Sequence, residues 1–291
     1  MKKYILVGII ILMLVAPICG ASMILSNSKE IEKPNATSFG DFTHTVIAEY
    51  GTMTTCPYCV TASNQLYNIY NSGDLDFYFV TMVWDAANAN VRNRLKELGV
   101  SSVPDVYFDG GYKRILGAQS NEQSYRTAIN QSGNRVVPDI DVSVVVNWLG
   151  GGKLKIEVTV VNNEVETYNG HLRTYIVEKQ SRWNDYSGKP YHYAVLDIPI
   201  DRSLSLVKTY AKARVDTYKF SKTWYGSLYG FKDIIKENIV VIASVFDKDT
   251  GYAVQTFAAE PSVSNNDNLL KTLIFERILD CFPMMNKILK L

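Results

Sequence analysis

The sequence predicts an α/β domain followed by an all-β sandwich domain. Hydrophobic residues make up 47% and charged residues 20% of the 291 positions, which suits about two ordinary globular cores. In the first half of the chain, apolar runs alternate between strand-like and helix-like spacing. Beyond residue 138 the apolar residues recur with a strict period of two, which is typical of half-buried strands. A hydrophobic helix is predicted before these domains, and an amphipathic helix after them.

Composition divides the chain into six segments. Linkers are predicted where Ser, Asn, Pro and charged residues interrupt the apolar pattern. The predicted segments are a signal peptide or membrane anchor (1–25), a linker (26–41), the α/β domain (42–134), the β-sandwich (137–260), a second linker (261–268) and a helical tail (269–291).

The N-terminus has the features of an export signal. Lys2 and Lys3 precede an uncharged, largely apolar run from Tyr4 to Leu25. This run suits a cleaved signal peptide and is also long enough to span a bilayer, so both fates stay open. In either case the lysines should remain cytoplasmic, and the chain after Ser26 should be extracytoplasmic, as a membrane-anchored or secreted protein.

The α/β domain is predicted element by element from the spacing of its apolar residues. The order is strand, helix, strand, helix, two short strands and a final helix. The predicted elements are strand 44–50, helix 57–72, strand 75–84, helix 86–98, the strand pair DVYFDG and KRILGA, and helix 121–131.

The second half of the chain is predicted to be an immunoglobulin-like β-sandwich. Apolar and polar residues alternate over 153–161, and Gly150 to Gly152 should join this strand to the preceding one as a hairpin. Further strands are expected at 171–178, 239–246 and 252–259, and DKDTG should form the turn between the last two.

The tail is predicted to be an amphipathic helix kinked at Pro283. Docking on the chain's own domain, lying on a membrane surface and binding a partner are all compatible with its apolar face.

Two of the four cysteines lie in the predicted folded interior. Cys19 falls in the leader and Cys281 in the tail, which leaves Cys56 and Cys59 as a single close pair. A pair separated by two residues closes too short a loop to staple a domain, so redox chemistry is the better explanation in an exported protein. A permanent structural disulfide is the alternative.

The position of the pair favours this chemistry. In EYGTMTTCPYCV a strand passes through a short loop into Cys-Pro-Tyr-Cys at the start of a helix. Pro57 suits the first helical position and would place Cys56 at the helix N-terminus, where free N–H groups and the helix dipole favour a thiolate. Cys59 follows on the same face and could resolve a mixed disulfide formed on Cys56.

These residues resemble the thioredoxin superfamily over about residues 42–134. Cys56-Pro57-Tyr58-Cys59 is the arrangement typical of glutaredoxins, and Ser102-Val103-Pro104 stands where the superfamily has its cis-proline loop. Valine before this proline is also found in the DsbA-like oxidases. The resemblance implies that the Val103 backbone pairs with a bound substrate chain and that Pro104 faces the cysteines.

The sequence departs from the family pattern in two places. Thr54 and Thr55 stand where a tryptophan usually precedes the motif, and the loop from Glu49 to Cys56 is one residue longer than usual. Glu49 as the buried proton acceptor for Cys59 is therefore a hypothesis taken from the family.

With its leader and its β-domain, the chain also resembles the Omp-type extracytoplasmic thioredoxin-like proteins. This resemblance implies a redox-active disulfide with no added cofactor. The implied partners are exported proteins with thiols or disulfides, a membrane or soluble redox partner, and the membrane itself through the leader and the C-terminal helix. A formal net charge of +1 argues against nucleic-acid binding. The separated His44, His171 and His192 do not complete a zinc site.

The sequence therefore predicts an extracytoplasmic thiol-disulfide oxidoreductase. A surface binding or adhesion module, built on the same scaffold around a structural disulfide, is the alternative. Oxidase, reductase and isomerase roles stay open, because they differ in reduction potential and partner rather than in the motif.

Overall fold

A computed structural model describes residues 42–207 and 216–263. Strands account for 48% of these residues and helices for 19%. The elements are β1 (Val46–Thr52), α1 (Cys59–Ser72), β2 (Phe77–Val83), α2 (Ala89–Glu97), β3 (Asp105–Phe108), β4 (Lys113–Leu116), α3 (Gln123–Gly133), β5 (Ile140–Gly150), β6 (Lys153–Asn162), β7 (Tyr168–Asn184), β8 (Pro190–Leu206), β9 (Asp216–Tyr225), β10 (Ile239–Asp247) and β11 (Ala253–Ala259), with short 3-10 helices at Gly226–Tyr229 and Lys236–Asn238.

The predicted leader (1–25), first linker (26–41) and tail (269–291) lie outside the described residues, as does most of the second linker. Within the two described ranges, no helix has both the length and the apolar composition needed to cross a membrane.

The strands form two sheets. Eight strands are arranged in the order β11-β10-β7-β8-β2-β1-β3-β4, and three more form the antiparallel sheet β5-β6-β9. In the larger sheet β1 and β2 are parallel, and β8 joins β2 in parallel at the pair Thr81 and Ala194. The other neighbours in this sheet are antiparallel.

The predicted fold class is wrong. An α/β domain of the thioredoxin type followed by a separate immunoglobulin-like sandwich would place their strands in separate sheets. Instead β7, β8, β10 and β11 continue the sheet begun by β1 to β4, and the described chain is mostly β. Hydrophobic periodicity identifies single strands, but it does not reveal which strand edges pair.

The shared sheet is buried on both faces where the two halves of the chain meet. Along β10, Val240 and Ile242 pack with the core of the helical part, which is the segment from β1 to α3. Val241 and Ala243 pack into the core between the two sheets. Because successive side chains of a strand point to opposite faces, one strand supplies both cores.

A buried polar cluster joins the two halves a second time. The fully buried Asp109, in the β3–β4 turn, accepts a hydrogen bond from Arg135 (2.9 Å) and lies 2.9 Å from His44 Nε2. Arg135 also donates to the carbonyl of Ala253 on β11, and the amide of Ala253 donates to the carbonyl of Asp109 (3.2 Å). The helical part and the sandwich part therefore share polar contacts as well as strands.

Most single elements lie where the sequence predicts them. The order from β1 to α3 is the predicted one, and β5 and β6 form the predicted hairpin across Gly150 to Gly152. The predicted turn from Asp247 to Gly251 joins β10 and β11, and the Asp247 carboxylate accepts the amide of Thr250 (2.9 Å) as in an ordinary turn.

We expect Gly152→Ala to destabilise the fold more than Gly150→Ala. Both glycines have positive φ, +71° and +77°, which costs an L-residue about 1–2 kcal/mol. A Cβ on Gly152 would also lie 2.8 Å from Lys232 Cα and 2.9 Å from the Phe231 carbonyl oxygen, whereas nothing lies within 4 Å at Gly150. Denaturant unfolding should show an additional loss of roughly 1–3 kcal/mol for Gly152→Ala. Equal losses would contradict the close approach.

Candidate functional site

A disulfide joins Cys56 and Cys59 at the N-terminus of α1, with a Cα–Cα distance of 5.4 Å. The helix begins at Cys59, and Tyr58 is its N-cap residue. The predicted start at Pro57 is therefore two residues early, and Pro57 lies in the turn before the helix. Cys56 nevertheless stands next to the first free N–H groups of α1.

The two sulfur atoms have different surroundings. The backbone N–H of Cys59 donates to Cys56 Sγ at 3.2 Å. In the reduced protein, such a donor at a helix N-terminus stabilises the thiolate form of Cys56. Cys56 retains 9% of its surface, whereas Cys59 is completely buried. Of the two residues, Cys56 alone keeps any exposed surface, so an outside thiol would approach the disulfide from its side.

The cis-proline loop lies against this pair. The peptide bond between Val103 and Pro104 is cis, and the Val103 carbonyl oxygen is 3.9 Å from Cys56 Sγ. Val103 is partly exposed and Pro104 is buried. Two sequence motifs 47 residues apart are thus brought into contact.

Tyr58 is strongly exposed, with 71% of its surface open to solvent. Pro57 is exposed as well. These two residues therefore form the outer surface of the turn that carries Cys56 and are available for contact with a docked polypeptide.

The structure places Glu49 away from the cysteines. On β1, Tyr50 faces α1, where its hydroxyl donates to the Cys59 carbonyl (2.8 Å). The neighbouring Glu49 faces the opposite side of the sheet, where its carboxylate accepts two hydrogen bonds from Arg94 of α2 (2.7 and 2.6 Å). Tyr175 also donates to it (2.6 Å). We therefore assign Glu49 to a buried ion pair and not to proton transfer from Cys59.

This pairing sets the charge of Glu49. Complete burial acts to raise the pKa of its carboxyl group, but the charge and hydrogen bonds of Arg94 hold the pKa below its ordinary value of 4.5, with help from Arg173 and Tyr175. Glu49 is accordingly ionised at neutral pH.

Three residues that the sequence analysis did not single out support the cysteine loop. Tyr191 of β8 donates its hydroxyl hydrogen to the Met53 carbonyl (2.9 Å), and Asp85, just after β2, accepts the Thr54 amide (3.0 Å). Tyr50 reaches Cys59 as described above. The sequence could indicate that Asp85 lies near the cysteine loop, because Asp85 follows β2 and the C-terminal ends of the parallel strands β1 and β2 meet at one edge of the sheet. No local pattern pointed to Tyr191.

The histidines have structural partners. His44 lies against Asp109, His171 contacts Asp201, and the ring of His192 stacks on Tyr67 at 3.4 Å. Within the described part of the chain, no group of three or more His, Cys, Asp or Glu side chains could hold a metal ion.

No family model matches the chain, and no curated protein matches it.

Among solved structures, HBP35 of Porphyromonas gingivalis is 14% identical, with a TM-score of 0.53 over 77% of this chain and 79% of that one. A structural-genomics target from Agrobacterium tumefaciens is 12% identical, with a TM-score of 0.45 over 79% of this chain and 98% of that one. A domain of the outer membrane lipoprotein Omp28 from Porphyromonas gingivalis is 13% identical, with a TM-score of 0.23 over 45% and 95%. At these identities only the first similarity bears on the fold, and none bears on activity.

Proposed function

We propose that this protein is a thiol-disulfide oxidoreductase in which Cys56 exchanges disulfides with substrate proteins and Cys59 resolves the intermediate. One observation carries the proposal. The Cys56 sulfur accepts a backbone N–H at a helix start and lies 3.9 Å from the carbonyl oxygen that precedes a cis-proline. Cys56 keeps 9% of its surface exposed, whereas its disulfide partner keeps none. The two motifs that meet here, Cys56-Pro57-Tyr58-Cys59 and Ser102-Val103-Pro104, are those through which the sequence resembles the thioredoxin superfamily.

In the reducing direction, the Cys56 thiolate attacks one sulfur of a substrate disulfide. The substrate S–S bond breaks, a mixed disulfide forms on Cys56, and the released substrate thiolate takes up a proton. Cys59, once deprotonated, then attacks Cys56 Sγ. The Cys56–Cys59 bond forms and the second substrate thiol leaves, so two electrons pass to the substrate. In the oxidising direction every step reverses, and a substrate dithiol reduces the Cys56–Cys59 disulfide.

The proposed location is outside the cytoplasm, where a disulfide of this kind persists. The basic and apolar leader at the N-terminus supports this location. The proposed substrates are exported proteins with thiols or disulfides. A membrane-bound or soluble redox partner would return the cysteine pair to its starting state, and the pair itself needs no added cofactor.

A redox titration of the Cys56–Cys59 pair tests the proposal. The full chain would carry Cys19→Ser and Cys281→Ser, so that only this pair titrates in glutathione buffers. We expect a potential between about −120 mV, where DsbA lies, and about −270 mV, where thioredoxin lies. Trapping with an alkylating reagent followed by mass spectrometry would measure the reduced fraction.

The value also separates the alternatives. A potential near about −120 mV would assign an oxidase role, and a potential near about −270 mV would assign a reductase role. A pair that stays oxidised below about −300 mV would instead behave as a structural disulfide, and a surface binding module would then replace the oxidoreductase.

A further inference from the structure

The peptide group between Met53 and Thr54 is held at both ends. Its carbonyl oxygen accepts the Tyr191 hydroxyl (2.9 Å), and its N–H donates to the Asp85 carboxylate (3.0 Å). The same carbonyl accepts the backbone N–H of Cys56 at 3.2 Å. The position of Cys56 is therefore fixed by a peptide group that side chains from two other elements hold in place.

A chain of buried hydroxyl groups connects this peptide to the other cysteine. The Thr52 hydroxyl lies 3.0 Å from the hydroxyls of both Tyr191 and Tyr50, and Tyr50 donates to the Cys59 carbonyl at 2.8 Å. The three hydroxyl groups have three hydrogens for these four contacts, so the contacts are not all hydrogen-bonded at the same instant. The backbone at both ends of the cysteine motif is thus linked through three side chains.

We propose that Tyr191 is a positioning residue that holds Cys56 where its sulfur receives the N–H of Cys59. This inference rests on the proposed role of Cys56 as the attacking residue. Tyr191 belongs to β8, more than 130 residues from the motif, and reaches it only because β8 pairs with β2 in the shared sheet. Loss of the hydroxyl frees the Met53 carbonyl, loosens Cys56 and weakens the contact that favours its thiolate.

Several groups that titrate or carry charge surround Cys56. Burial raises the pKa of Tyr191 to about 12, and burial also raises the pKa of Tyr50, so both hydroxyls keep their hydrogens over the range in which a thiol titrates. Asp105, after the cis-proline, is paired with Arg114. Cys59 and the exposed Tyr58 belong to the same motif, and the Asp85 and Asp185 carboxylates both act on Tyr191. Tyr191→Phe changes none of their charges.

The pH profile of Cys56 alkylation tests this inference. The reduced full chain with Cys19→Ser and Cys281→Ser would be treated with iodoacetamide, and modification of Cys56 followed by mass spectrometry. We expect Tyr191→Phe to move the profile to higher pH and to slow alkylation at pH 7 by about threefold, the size expected for loss of one hydrogen bond. Thr52→Val breaks the same chain without altering Tyr191, and should move the profile in the same direction.

Tyr168→Phe is the matched control. Its hydroxyl is also buried but has no hydrogen-bond partner among the described residues, and it lies in the core between the sheets. Its profile should coincide with that of the parent chain. A low thiol pKa in the parent together with unmoved profiles in Tyr191→Phe and Thr52→Val would overturn the positioning role and leave the proposed function intact. A parent Cys56 that titrates near the ordinary value of about 8.5 would overturn both.

Discussion

Replacing Cys56 with serine is expected to reduce disulfide exchange to the uncatalysed rate. A serine hydroxyl is not ionised at neutral pH and forms no disulfide, and Cys59 is too deeply buried to take over the attack. With dithiothreitol as the electron source, insulin should be reduced no faster in the presence of Cys56→Ser than with dithiothreitol alone. Full activity in Cys56→Ser would exclude the mechanism.

Cys59→Ser is the informative partner of this variant, because it leaves the attacking thiol in place. The first exchange step still forms a mixed disulfide on Cys56, but no second thiol releases it. We expect a covalent adduct with the substrate that resists denaturation and disappears on reduction, detected by non-reducing electrophoresis and mass spectrometry. If Cys56→Ser forms the adduct and Cys59→Ser does not, the roles of the two cysteines are reversed.

The parts of the site that the sequence predicted are local. Cys56, Pro57 and Cys59 lie within one short segment, and their proximity follows from chain geometry alone. The contact between Val103 and Cys56 joins distant segments, and only the family resemblance suggested it. The helix start was misplaced because proline at 57 suits both a first helical turn and the turn before it.

The parts that the sequence did not predict depend on strand pairing across the chain. Nothing in the alternation of β8 shows that it adds to the edge of β2, yet this pairing overturns the predicted fold class and brings Tyr191 to the motif. The same limit applies to Glu49. Alternation along β1 places the side chains of Glu49 and Tyr50 on opposite faces of the sheet. It does not reveal that α1 covers one of these faces and α2 covers the other.

Replacing Arg94 with methionine should greatly lower the free energy of unfolding. In Arg94→Met, the completely buried Glu49 carboxylate loses its two short hydrogen bonds and its closest positive charge. Removing one partner of a buried ion pair leaves the other charge unpaired and lowers the free energy of unfolding by about 3–5 kcal/mol, which denaturant unfolding would measure. Arg126→Met is the control, because its pair with Asp74 is partly exposed and should cost at most about 1 kcal/mol.

The pH dependence distinguishes an unpaired charge from a packing defect. In the parent chain the pKa of Glu49 lies below 4.5. The ionised carboxylate therefore contributes fully to the free energy of unfolding above the unfolded-state pKa, and this contribution is lost as the pH falls through the folded-state pKa. Without Arg94, burial raises this pKa instead, so the variant gains relative stability once the carboxyl is protonated. The difference in unfolding free energy between parent and variant should therefore shrink on acidification. The double variant Glu49→Met with Arg94→Met should recover much of the loss at neutral pH, because the unpaired Glu49 carboxylate is then absent as well. A difference that is independent of pH and persists in the double variant would show that Arg94 acts through packing.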